Sequence, residues 1–233
     1  MMRGMAFLPI WHGIAEGHED EFEQWHTEEH LAERVDTPGI VVGRRYAKDA
    51  GEPLRYFTLY EATSFEVFAS EGYFATANAR SERTIAIHPH FVDFRRAPCH
   101  LVMTRGRGYG GDLLTVRVRF DAAANPAGMA AKDAYTLAVR PIVEGCMGVP
   151  LVTAVHAGVT APVARKPLSA TSLSLRPNAM AFDGVLLVEF ASGRGLDAGQ
   201  PQVQALLDTH LGNIASFEFD RYRLSQVMHD RSE

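Results

Sequence analysis

Apolar and polar residues alternate cleanly over Leu113–Phe120. Leu114, Val116, Val118 and Phe120 fall on one side and Thr115, Arg117 and Arg119 on the other, the period of a half-buried strand. The same criterion predicts strands at Gly4–His12, Gly39–Ala47, Leu54–Ala62, Phe91–Val102, Gly148–Val159, Gly184–Ala191 and Phe217–Val227. Helical spacing predicts helices over His18–Asp36, from Ser64 as N-cap to Ile87, over Pro126–Glu144 and over Pro201–Leu211. The order is strand, helix, strand, strand, helix, strand, and then the same again.

Local matches point to a duplication. Gly39-Ile-Val matches Gly148-Val-Pro about 109 positions on, whereas Leu59-Tyr-Glu61 matches Leu187-Val-Glu189 about 128 on. Phe91 with Arg95 matches Phe217 with Arg221 at about 126. The jump places one insertion, loop 160–182, between the second and third strands of the second half, where Pro, Ser, Ala and Thr dominate. Arg105–Gly111 is a glycine-rich linker. The expected organisation is therefore 1–106 and 107–233, each a split βαβ of the ferredoxin-like kind. The fold class expected is α+β, with the two antiparallel sheets facing each other as an α/β barrel around a cavity.

Composition narrows the function classes. With 46% hydrophobic and 22% charged residues the chain of 233 is globular. A net charge of −5 and a pI near 6.1 argue against nucleic acid or an anionic membrane as partner. No apolar run approaches about 20 residues, and the first fourteen residues, with Pro9, Trp11 and His12, do not read as a secretory leader. Two well-separated cysteines, Cys99 and Cys146, make neither a zinc module nor a disulfide scaffold. A cytoplasmic protein binding a small molecule is the expectation.

The chemistry concentrates in Trp25-His-Thr-Glu-Glu-His-Leu31. On a wheel of about 100° per residue, His26, Glu29 and His30 fall on or beside the inward face anchored by Phe22 and Trp25. An inward polar trio is costly unless its members bond each other or a ligand. His30 is the candidate general acid/base, since an ordinary imidazole titrates near neutrality, and His26 its orienting partner. Glu29 reads as structural. The run also fits the H-x-x-E-H pattern of a zinc site, but the next helix offers no matching carboxylate motif, so no metal is assigned. Strand alternation leaves open which of Arg44/Tyr46 and Gly43/Arg45 faces the cavity. Arg44, Tyr46, Tyr60, Trp11 and Trp25 are the candidate substrate contacts, and His12 is the alternative to Trp11. His88-Pro-His90 reads as a structural turn, and Arg105–Gly111 lacks the ending of a phosphate loop.

The motif, followed by Thr37-Pro-Gly-Ile40 and Arg44-Arg-Tyr46, resembles the dimeric α/β-barrel superfamily and within it the EthD-like proteins. The second half lacks the Glu-His signature and reads Tyr135-Thr-Leu-Ala-Val-Arg140 there, so one site per chain is expected. The resemblance implies two units within one chain where relatives use two chains, and a homodimer of such chains as the assembly. It implies cofactor-free isomerase, cyclase, lyase or monooxygenase chemistry on an aromatic, lactone or polyketide-like compound. The alternatives are a ligand-binding or stress-response protein without catalysis, and a haem enzyme using His156 as axial ligand.

Overall fold

The computed structural model describes residues 2–121, 131–163 and 182–231. The fold is α+β, built of antiparallel strands and helices. Two compact units emerge: one comprises Arg3–Pro98 with the chain from Ser225 on, the other Cys99–Thr160 with the chain through Leu224. Among the described residues no helix is long and apolar enough to cross a membrane.

The first unit runs β1 (Ala6–Ile14), α1 (Glu19–Trp25), a π-helical turn at His26–His30, α2 (Leu31–Val35), β2 (Ile40–Ala47) and β3 (Tyr56–Ala62). A 3-10 turn at Phe65–Ala69 then leads to α3 (Glu71–Asn78), α4 (Glu82–Ile87) and β4 (Phe91–Arg96). All its pairings are antiparallel, in the order β4-β1-β3-β2. Register sorts the residues by face, because directly opposed residues share one. Ile10 opposes Thr58, which opposes Arg45, and Leu8 opposes Tyr60, which opposes Gly43. This is the helix face. A Cβ at Gly43 would come within 2.7 Å of Leu31 and 2.8 Å of Val35, so the glycine lets α2 lie directly on the sheet. The opposite face carries Trp11, Phe57, Leu59, Glu61, Arg44 and Tyr46, all fully buried.

The segment expected as one helix over 64–87 is broken because two serines each start a helix afresh. Ser70 and Ser81 are extended, and their hydroxyls accept from the N–H of Tyr73 and Thr84. The strand expected over 91–102 likewise divides at Ala97-Pro98, where proline withholds a donor from the ladder.

The second unit comprises β5 (Cys99–Gly106), β6 (Asp112–Phe120), α5 (Ala131–Met147), β7 (Val152–Thr160), β8 (Gly184–Phe190), α6 (Gly193–Leu211) and the first part of β9 (Ala215–His229). Its antiparallel order is β5-β7-β8-β6-β9. Helix α6 starts eight residues before the expected Pro201, capped by Ser192. Its glycines serve packing: a Cβ at Gly199 would meet the Phe190 ring at 2.6 Å. Pro126 and residues 164–181 of the insertion lie outside the described residues.

Candidate functional site

The first unit contains a cavity of about 90 Å³ between its helices and the helix face of its sheet. The floor is β1 and β3, through Ile10, His12, Thr58 and Tyr60. The roof is Phe22, Trp25, His26, His30 and Arg34, with Tyr73 and Ala77 from α3, and His88, Phe91, Phe94 and Arg96 close the remaining side.

Backbone geometry explains why two histidines reach it. Between α1 and α2 the helix widens for one turn, and the N–H of Leu31 donates to the carbonyl of His26, five residues back. Such single π turns recur at functional sites because they re-aim the side chains they carry. Trp25 fixes the turn from one side: its indole stacks on His30 at 4.2 Å between centroids and donates to Thr84 Oγ1 at 3.0 Å. Glu29 fixes it from the other, accepting hydrogen bonds from Ser81 and Thr84. That commitment takes Glu29 away from His26 and His30, so the H-x-x-E-H run does not converge on one point. Among the described residues no three His, Cys, Asp or Glu side chains are placed to hold a metal ion.

The histidines are held neutral. Burial is the main cause, pushing His26 well below an ordinary imidazole, reinforced by His30 and by Arg45. His30 is pushed well down by burial and then by Arg34, and burial lowers His12 to about 4. Arg34 Nε lies 3.5 Å from His30 Nε2. A guanidinium only donates, so this contact assigns the lone pair to Nε2 and the proton to Nδ1. His30 Nδ1 lies 3.6 Å from the Glu33 carboxylate, and the His30 side chain keeps 15% exposure, which puts it at the mouth. His26 Nε2 is 3.5 Å from Thr58 Oγ1. Burial, as the largest cause, pushes the Tyr60 phenol upward, so it stays a donor.

The enclosed polar atoms with no hydrogen-bond partner among the described residues include His26 Nδ1, His30 Nδ1, Arg34 Nη1 and the Tyr60 hydroxyl. All four belong to residues lining the cavity. Each such atom costs about 1–3 kcal/mol unless water or a ligand satisfies it. No aspartate or glutamate is among the described lining residues, whereas Arg34 and Arg96 are, the latter donating to the Tyr73 hydroxyl at 3.0 Å.

Of the residues singled out from sequence, His26, His30, Trp25 and Tyr60 meet at this cavity. Arg44, Tyr46 and Trp11 do not line it. Arg44 is locked to Glu61 at 2.8 Å and donates to the Tyr46 hydroxyl at 2.9 Å, on the other sheet face. His12 occupies the position for which Trp11 was the first choice. Sequence reasoning passed over Arg34, Arg96 and Tyr73. Arg34 was legible as the next residue at i+4 from His30 on the same stripe. Nothing local marked Arg96, which reaches the cavity through its pairing opposite Ile10.

In the second unit both ring nitrogens of His156 are engaged: Nδ1 with Thr104 Oγ1 at 2.7 Å and Nε2 with Glu189 at 3.0 Å.

No protein-family model and no curated protein matches the chain. Solved structures do. One, described as a candidate monooxygenase from Fusobacterium nucleatum, shares 10% identity at a TM-score of 0.61, covering 98% of this chain and 96% of its own. An anthrone oxidase-like protein gives 10% identity and a TM-score of 0.61 over 97% and 93%. A haem-binding protein from Thermus thermophilus gives 10% and 0.53 over 96% and 92%. At these identities the likeness is one of fold alone: the chain shares the α+β architecture of these structures over nearly its whole length.

Proposed function

We propose that this chain is an EthD-like small-molecule enzyme performing acid–base chemistry without an organic cofactor, at a single site in its first unit. The compound it acts on is aromatic, lactone or polyketide-like. The observation that carries the reading is the convergence of neutral His26 and His30 on a cavity at which Arg34 Nη1 and the Tyr60 hydroxyl also lack a partner among the described residues. Neutral His26, whose Nδ1 has no partner among the described residues, can take a proton from an acidic O–H or C–H and return it as the imidazolium, while His30, with Nε2 accepting from Arg34 and its proton on Nδ1, donates to the developing charge. Trp25 and Tyr60 contact the compound. A volume of about 90 Å³ lies below the about 150 Å³ of a cavity that holds benzene, so the reacting carbonyl or hydroxyl end enters and the bulk stays at the mouth.

We further propose that the chain is a tandem duplication of ferredoxin-like units, dividing in sequence at 106/107. What supports this is the correspondence of strand orders and of the pairs Arg44–Glu61 and His156–Glu189, described below.

Haem-binding proteins of this fold make haem a reading to test against the residues. Its candidate axial ligand, His156, has neither ring nitrogen free. The cavity at His30 is far below the about 300–1,000 Å³ of pockets for drug-sized ligands. Neither this cavity nor the engaged His156 fits a porphyrin.

The test is a panel of hydroxylated aromatics, lactones and polyketide-like ketones, screened by thermal shift and then by turnover, with oxygen uptake followed in parallel. Compounds that raise Tm should be converted, and His30→Ala and His26→Ala should each lose about 100-fold or more in kcat. Binding without conversion identifies a non-catalytic binding protein and overturns the proposal.

A further inference from the structure

We infer that the cavity recognises a carboxylate on its ligand, gripped between Arg34 and the hydroxyl of Tyr60. The inference deepens the acid–base reading by naming a substrate class, and rests on it only in taking the same cavity as the site.

The argument is one of donors and charge. Tyr60 is 3% exposed, and its hydroxyl has no acceptor among the described residues. Arg34 spends Nε on His30 and leaves Nη1 enclosed with nothing to donate to among the described residues. A guanidinium cannot lose its proton or turn acceptor, so an enclosed, idle N–H on it calls for an anionic oxygen. Two donors approaching from the helix and from the sheet match the two oxygens of one carboxylate. The rest of the lining agrees. Arg96 adds a second cation, the histidines are neutral, and no aspartate or glutamate is among the described lining residues, Glu33 standing beside His30 outside the lining. A carboxylate with the carbon that bears it is also small enough for the volume. A neutral ligand head would leave Arg34 with only the partly exposed Glu33 as counter-charge and its enclosed Nη1 unanswered.

The experiment compares isosteric probes on the intact protein: acetate with acetamide, and benzoate with benzamide and phenol, titrated by calorimetry at pH 7.5. Each carboxylate should bind at least about tenfold more tightly than its amide. Arg34→Gln should cut carboxylate affinity by about 10- to 100-fold and leave amide affinity within about threefold. Tyr60→Phe, which removes one oxygen and so tests the site should Arg34→Gln not fold, should cut it by about 5- to 20-fold. Equal binding of acid and amide, tighter binding of phenol, a carboxylate affinity unaffected by either variant, or no carboxylate binding at all would each overturn the inference. Turnover separates this from the acid–base reading. Carboxylate preference without any conversion leaves the recognition standing and removes the enzyme, and conversion of neutral compounds only does the reverse.

Discussion

The two units place a buried carboxylate at corresponding points and answer it differently. In the first, Glu61 on the third strand accepts from the Arg3 N–H at 2.6 Å and pairs with Arg44, which stands opposite Leu59 on the second strand. In the second, Glu189 accepts from the Gly110 N–H at 2.6 Å and meets His156, which stands opposite Leu187. The architecture of the pair is common; the cation is not. Arg44 carries its charge under all conditions, while His156 can be neutral and accept or donate through its tautomer. The helix layers differ more sharply still. Beneath α5 and α6 the second unit packs Val139, Ile142, Val143, Leu196, Val203 and Leu207 against Leu114, Val116, Leu186 and Val188. At the same level the first unit offers His26, His30 and Arg34 around open volume. A fold that is filled with hydrocarbon in one unit is left polar and hollow in the other, and the hollow one carries its unsatisfied groups at a cost in stability.

The pair comparison predicts the largest effect. Replacing Glu61 by Gln keeps an acceptor for the Arg3 N–H but removes the negative charge facing the buried Arg44 guanidinium, and should cost about 3–5 kcal/mol in urea unfolding. Glu189→Gln keeps an amide oxygen within reach of His156 Nε2 and the Gly110 N–H, and should cost about 1–2 kcal/mol. Equal losses would mean that the two pairs are energetically equivalent despite their different cationic partners.

Acid should separate the units next. His12 is buried with its pKa lowered to about 4, and His26 and His30 are also lowered. A lowered histidine binds fewer protons folded than unfolded, so stability is complete above about pH 6.5 and falls as pH drops below it. His12 alone accounts for about 3 kcal/mol between pH 6.5 and 4. Amide exchange at pH 5 should therefore rise in α1 and α2 before α5 and α6. His12→Leu should flatten the dependence by close to one proton. Uniform exchange in both units would refute the assignment of this sensitivity to the first.

How far these features were visible beforehand depends on which interaction decides them. Strands declared themselves by alternation, because one face of each is buried and the period is fixed by the backbone. The inward helix stripe from Phe22 to His30 followed from helical spacing for the same reason. The face of β2 did not. Arg44 and Tyr46 look like site residues by chemistry, yet Gly43 decides the matter, since α2 can approach only where a side chain is missing. Nor could periodicity locate the cavity. It was expected between two sheets, whereas the one described lies under the helices of the first unit, and its outer wall comes from Phe94 and Arg96 through strand pairing. Those are long-range facts, set by contacts that no window of sequence contains.

The smallest predicted effect is also the one that inverts between the units. Tyr60 and Tyr135 are both buried phenols facing a helix–sheet interface, at 3% and 1% exposure. Tyr135 donates to the Val185 carbonyl at 2.8 Å, so Tyr135→Phe removes a hydrogen bond and leaves a buried carbonyl one partner poorer, a loss of about 1 kcal/mol. The Tyr60 hydroxyl has no acceptor to lose among the described residues. Tyr60→Phe should then leave stability unchanged or raise it by about 0.5 kcal/mol, because a polar atom is removed from an enclosed space in which nothing answers it. The same substitution should abolish most ligand-induced thermal shift, while Tyr135→Phe leaves that shift intact. A tyrosine whose removal helps the empty protein and harms only the occupied one is retained for what it binds. Were Tyr60→Phe instead to cost as much as Tyr135→Phe, the hydroxyl would be answered by ordered water as part of the resting structure, and the hollow in the first unit would be a hydrated core.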